Sequence, residues 1–128
     1  MARIDLVVVG GGTAGLVAAV GAARQGARVV LIERHRTGGD CLWTGCVPSK
    51  SRITAAAAAH TARSSGHLGV HSGEVTVDFG AVMAHVKGAI ATIEPHDSPE
   101  RLRSLGIEVI HGDAPVAISA RRKRRRRP

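Results

Sequence analysis

The chain has 128 residues and is 44% apolar, which suits one small domain with a core. Its only aromatic residues are Trp43 and Phe79, so Val, Ile, Leu and Ala must build that core. The formal net charge of +8 argues for no basic surface on the body: seven of the eighteen Lys and Arg residues lie in RRKRRRRP, residues 121–128, leaving eleven against ten acidic residues.

The run from Leu6 to Ala23 is uncharged and, at about 18 residues, reaches the length of a membrane helix. Four glycines within Gly10 to Gly15 would weaken such a helix, so the run is read as a buried strand passing through a turn into a buried helix. No basic segment with a small-residue cleavage site precedes it, and a cytoplasmic location is the expectation. RIDLVVVG is the first strand, fully apolar at its end as a parallel strand covered on both faces would be. LVAAVGAARQGA is the helix, closing near Gly26, and RVVLIE is the second strand, ending at Glu33. Strand, helix and strand within about 30 residues make a βαβ unit.

Beyond the cysteines, PSKSRITAAAAAHTARSSG predicts a helix with a Ser-Gly exit, and the alternating EVTVDF a short connecting strand. Phe79, Val82, Met83, Val86, Ile90 and Ile93 recur at helical spacing behind Asp78 as N-cap, with Pro95 marking the stop. In DSPERLRSLG, Ser98 is an N-cap, Pro99 the first helical residue and Gly106 the C-terminal cap, and IEVIHGD is a third strand. The fold class is α/β, with a Rossmann-type parallel sheet that is incomplete; in the strand order usual for that fold the first strand is central.

Gly10, Gly12 and Gly15 spell G-x-G-x-x-G directly after a strand and at the start of a helix. The first permits a tight turn, the second lets backbone approach a pyrophosphate, and the third lets helix and strand pack closely, while the helix N-terminus offers free amides to phosphate. Glu33 follows Gly15 by about the spacing of the acid that binds ribose hydroxyls. These residues predict a dinucleotide site without choosing between NAD and FAD.

Cys41 and Cys46 are the only cysteines. In a regular helix positions five apart lie roughly 8 to 9 Å apart at Cα, beyond the limit of about 7 Å for a disulfide. Pairing therefore requires a distorted first turn, which Gly45 and Pro48 suit, and a helix start would lower a thiol pKa. A redox couple, two reduced thiols and a zinc site all stay open from spacing alone. Zinc is the poorest of the three, since two sulfurs leave further ligands to find and no second Cys pair follows, and no metal is expected.

VVVGGGTAGLVAA, Glu33 and GGDCLWTGCVPSK, in this order and spacing, resemble the flavoprotein disulfide reductases, a group with dihydrolipoamide dehydrogenase, glutathione reductase and mercuric reductase among its members. The resemblance extends over about residues 3 to 114 and implies FAD as the cofactor of this first site. It implies Cys41 as the thiol that exchanges with the acceptor and Cys46 as the thiol against the flavin, in charge-transfer contact. Gly10, Gly12, Thr13, Ala14 and Gly15 would form the pyrophosphate turn, Glu33 and Arg34 would meet the adenosine ribose, Gly39 and Asp40 would adjoin the phosphates, Lys50 would sit near the flavin ring, and Ala114 would approach the adenine through its backbone. Asp40 stands where the family has threonine and puts a carboxylate at a neutral phosphate contact; Trp43 replaces a small or polar residue and narrows access for the substrate.

The family's NAD(P)H site, its dimerisation domain and the His-Glu acid-base pair of the partner subunit are expected to be absent, and none of the seven histidines matches that pair. Residues 1–120 are thus read as the N-terminal part of an FAD-binding domain and 121–128 as a polybasic disordered tail. We read the tail as an out-of-frame ending in a GC-rich gene in preference to a basic arm holding nucleic acid nonspecifically. The implied activity is an NAD(P)H-linked disulfide oxidoreductase with a small-molecule or protein disulfide as partner, homodimeric in the family and not membrane-bound. The isolated chain is expected to be inactive alone. The competing expectation is a nonenzymatic nucleotide-binding module or a polybasic nucleic-acid-associated protein.

Overall fold

The computed structural model describes residues 3–115; the arginine block and the end of the first predicted domain lie outside them. Strand β1 (Leu6–Val9), helix α1 (Thr13–Arg24) and strand β2 (Val29–Glu33) form the expected βαβ unit. Helix α1 closes where Gly26 takes φ +85°, a left-handed turn whose next amide, that of Ala27, returns to the Ala22 carbonyl at 3.1 Å. Helices α2 (Gly39–Trp43) and α3 (Cys46–Ser64) follow, then a 3-10 turn over Ser65–Leu68, helices α4 (Phe79–Asp97) and α5 (Pro99–Ser104), and strand β3 (Glu108–His111).

The sheet is parallel throughout, in the order β1-β2-β3, so among the described residues β1 is an edge strand and β2 the central one. Register pairs Val8 with Leu31 and Leu31 with Val109. That face receives α1 and α5: Val8, Leu16, Ala19, Val29, Leu31, Leu102 and Ile107 make one buried cluster. Full burial of residues such as Leu31, Leu102 and Ile107 contributes roughly 1.5–3 kcal/mol each before entropy is set against it. On the opposite face Val30 is buried but Val7, Val9 and Ile110 are exposed at 51%, 60% and 41%, so the covering of both faces expected from the apolar first strand is met on one side of it only.

Two expectations are corrected. EVTVDF is not a strand: residues 70–78 carry no regular structure and Phe79 already belongs to α4. The Val75 carbonyl is taken by the Arg63 guanidinium at 3.1 Å, and the Asp78 carboxylate accepts the Ala81 amide at 3.0 Å, which pulls Phe79 into the helix. Pro95 does not end α4, which runs to Asp97. The stop is Ser98, held extended (ψ 151°) before Pro99, because a proline drives the preceding residue out of helical backbone. Ser98 then caps α5, its hydroxyl accepting the Arg101 amide at 3.1 Å.

Candidate functional site

The turn between β1 and α1 is gripped from two sides. The Gly10 amide donates to the Ile32 carbonyl at 2.8 Å, the Gly38 amide donates to the Gly11 carbonyl at 2.9 Å, and the Gly11 amide donates to Glu33 Oε2 at 2.6 Å. Close approach explains two glycines. A Cβ on Gly15 would sit 1.9 Å from the Gly10 carbonyl oxygen, and one on Gly39 would sit 2.7 Å from the Gly12 Cα. Helix α1 therefore begins hard against both β1 and α2, with no side chain capping its first amides. Those amides and the bare Gly12 backbone are free to meet an anion.

Glu33 spends its carboxylate on backbone: Oε2 on Gly11, Oε1 on the His35 amide at 2.8 Å. Partial burial pushes its pKa up, but donation by the His35, Gly11 and Arg34 amides, together with the charge of the His35 ring, outweighs this, and the group lies below its ordinary value of 4.5. Each oxygen keeps lone pairs for a further donor such as a ribose hydroxyl.

Above this turn opens a cleft of about 1080 Å³. Its floor is Gly10, Gly12 and Glu33, one wall is Arg34 to Arg36 with Gly39, Asp40 and Trp43, and the other is His111 to Ala114. The second wall is tied to the first through the Gly112 amide on the Glu33 carbonyl at 2.9 Å and the His111 ring on the His35 carbonyl at 3.0 Å. The cleft is large enough for a dinucleotide, and the glycine floor, the amide-bound acid and the open helix start fit one.

The two cysteines lie on different helices: Cys41 in the short α2, Cys46 at the first position of α3. A full break at Thr44–Gly45, with the Gly45 amide turned back onto the Asp40 carbonyl, replaces the distorted single turn expected from spacing. The thiols are free, Cys41 half-buried and Cys46 exposed. A hydrogen bond from Cys46 is the main influence lowering the Cys41 pKa, with help from the Thr13 hydroxyl and the Lys50 charge. Cys46 is raised, first by that same hydrogen bond and then by repulsion from Cys41, in spite of its place at a helix start. Among the described residues no group of three or more His, Cys, Asp or Glu side chains is assembled to hold a metal, and no helix is long and apolar enough to cross a membrane.

A family model described as pyridine nucleotide-disulphide oxidoreductase matches residues 4–125. The chain belongs to this family. It is 32% identical over 114 residues to a mercuric reductase of Streptomyces lividans, covering 88% of this chain and 24% of that protein. It is 35% identical over 109 residues to a dihydrolipoyl dehydrogenase of Acholeplasma laidlawii, covering 84% and 32%. The crystal structure of LpdA from Mycobacterium tuberculosis superposes with a TM-score of 0.70 at 31% identity, over 83% of this chain and 23% of that one. The chain thus spans between about a quarter and a third of the length of these oxidoreductases. The α/β fold with its parallel sheet is the family's.

Of the residues singled out in the sequence, the cleft brings together Gly10, Gly12, Glu33, Arg34, Gly39, Asp40 and Ala114. Gly15 lies beneath it, packed on Gly10. Thr13 and Ala14 begin α1 outside the lining, Thr13 beside Cys41, and Lys50 stands on α3 with its charge felt at both thiols. Trp43 faces the cleft: its indole Nε1–H donates to the Thr37 carbonyl at 2.8 Å and its ring lies 3.7 Å from the Arg36 guanidinium carbon. Sequence reading missed Arg36, Thr44, His35 and His111 as lining residues. The run of basic residues after Glu33 was a signal for the first wall; nothing local to His111 pointed to the second.

Proposed function

We propose that this chain is the FAD-binding, thiol-bearing part of an NAD(P)H-linked disulfide oxidoreductase working in the cytoplasm. The observation that carries the reading is the junction of the two sites: Gly12 abuts Gly39, and Thr13, one residue on, reaches Cys41. A dinucleotide lying along the glycine turn ends beside the thiol pair. Gly10, Gly12 and the first amides of α1 would hold its pyrophosphate, Glu33 and Arg34 its ribose, and the backbone at Ala114 its adenine. Bound FAD supplies two-electron chemistry to the thiols.

The thiols then do the work on the acceptor. The Cys41 thiolate attacks one sulfur of a disulfide, forming a mixed disulfide and releasing the other sulfur as a thiolate that takes a proton. Cys46 gives up its proton and attacks Cys41, closing the Cys41–Cys46 disulfide and breaking the mixed disulfide; the second acceptor sulfur leaves as a thiolate and takes up a proton, so the acceptor gains two electrons and the pair loses two. Lys50 and Thr13 favour the attacking thiolate by charge and hydrogen bond. NAD(P)H as the source of electrons, a small-molecule or protein disulfide as acceptor, and a homodimer as the working form belong to the same proposal.

The test uses the purified full chain. Flavin absorbance is measured after reconstitution with FAD, and thiols are titrated before and after mild reductant with zinc assayed in parallel. Bound flavin and two thiols that appear only on reduction support the proposal; stoichiometric zinc, or a pair that cannot be oxidised in the flavin-loaded protein, overturns it.

A further inference from the structure

The cleft carries an imbalance of charge at the place where the diphosphate would lie. Three carboxylates, Glu33, Asp40 and Asp113, face two guanidinium groups, Arg34 and Arg36. Glu33 is engaged by backbone amides, but Asp40 follows Gly39, which touches Gly12 at the mouth of the glycine turn. A diphosphate would add negative charge directly beside it. A positive charge within reach of the phosphate must offset this.

We propose that Arg36, laid flat on Trp43, supplies that positive charge and is the diphosphate-binding side chain of this cleft. The inference rests on the dinucleotide reading above and adds to it a residue and a role. Trp43 is held by its bond to the carbonyl of Thr37, itself buried at 5% exposure, so the indole is a fixed platform. Arg36 stacks on it with its guanidinium carbon 3.7 Å from the ring centroid. Stacking uses the face of the guanidinium and leaves its N–H donors, which lie in its plane, free for the paired oxygens of a phosphate. Among the described residues the ion pairs are Arg28 with Asp5 and Arg103 with Glu100, so Arg36 is engaged by no carboxylate. Because its side chain is already ordered on the indole, binding an anion costs it less freedom than it would cost a loose arginine. The carboxylate of Asp40 and the Arg36–Trp43 stack are thus two halves of one rearrangement: repulsion on one wall, a placed cation along the same wall.

Trp43 is the single tryptophan of the chain and lines the cleft, so its emission reports on that cleft. Its emission is followed while the full chain is titrated with ADP, which carries the diphosphate, and with adenosine, which does not. Arg36→Ala is expected to weaken ADP binding roughly five- to tenfold and adenosine binding less than about twofold, as loss of a charge-assisted contact at an exposed site would. Asp40→Asn is expected to tighten ADP binding about threefold. Should Arg36→Ala fail to fold by circular dichroism, Arg36→Gln, which keeps length and donors without the charge, is read the same way. Unchanged ADP affinity, or an equal loss for ADP and adenosine, overturns the role of Arg36. Failure of the unsubstituted chain to bind either ligand instead overturns the dinucleotide reading, and this inference with it.

Discussion

Glu33 accepts the Gly11 amide at 2.6 Å across 22 residues of sequence, and this bond joins the end of the central strand to the glycine turn. The same carboxylate holds the His35 amide, so one side chain sets both the floor and the near wall of the cleft. Glu33→Gln keeps an acceptor but loses the charge, and should lower stability by about 1 kcal/mol in urea unfolding at neutral pH. The folded pKa of Glu33 is below its ordinary 4.5, so its contribution is present above that value and is lost as pH falls through the lower folded one. The gap between the two proteins should therefore narrow in acid; a gap that stays constant would contradict the assignment.

The unequal thiols predict an order of reaction. With limiting iodoacetamide at about pH 8, label should fall on Cys41 roughly threefold or more over Cys46, although Cys46 is the more exposed, because the thiolate is the nucleophile. Peptide mapping reads the ratio. Preference for Cys46 would show that exposure, not thiolate character, governs the pair.

The Thr13 hydroxyl lowers the Cys41 pKa, so Thr13→Ala should move the midpoint of the Cys41 alkylation profile to higher pH and slow the reaction about twofold below it. Thr13→Ser, which retains the hydroxyl, should restore the profile. A shift shared by both variants would point to packing of α1 as the cause.

Two glycines of α1 should respond in opposite directions. Gly15→Ala drives a methyl group into the Gly10 carbonyl, and backbone cannot easily retreat, so a loss of about 3 kcal/mol or more is expected in urea unfolding. Gly21, inside the same helix, has nothing within 4 Å of an added Cβ, and Gly21→Ala should stabilise by about 0.5–1 kcal/mol.

The open face of the sheet predicts self-association. Val7 and Val9 are more than half exposed on a strand that, among the described residues, lies at the sheet edge, an arrangement that invites pairing with another chain. The double variant Val7→Thr, Val9→Thr keeps the β-branched shape, should cost less than about 1 kcal/mol in all, and should lower the light scattering of concentrated solutions. Scattering that does not change would place the association elsewhere.

What was legible in the sequence is what neighbouring residues decide among themselves. The glycine turn, Asp78 and Ser98 as caps, Pro99 as a first helical residue and the left-handed glycines at 26 and 106 all rest on backbone geometry within a few residues. The cysteine motif was legible for the same reason: its residues are adjacent and their kinds are rare together. EVTVDF failed because alternation records only which side chains share a face; a strand also needs a partner edge, and the Arg63 side chain took the carbonyl that a neighbour would have used.

Only the tertiary structure decided the rest. The second wall of the cleft exists because β3 pairs with β2 and brings His111 onto the carbonyl of His35, 76 residues away. The Arg36–Trp43 stack exists because left-handed Gly38 and Gly39 turn the chain into α2 and the Trp43 indole bonds back to the Thr37 carbonyl. Two cysteines that are equal as letters become unequal mainly through the hydrogen bond from Cys46 to Cys41, with Thr13 adding to it from across the fold. Turns and caps depend on dihedral angles and near neighbours, which sequence specifies directly, whereas the second wall of the cleft and the contact of Thr13 with Cys41 depend on distances between residues far apart in the chain, which are set only when the sheet assembles.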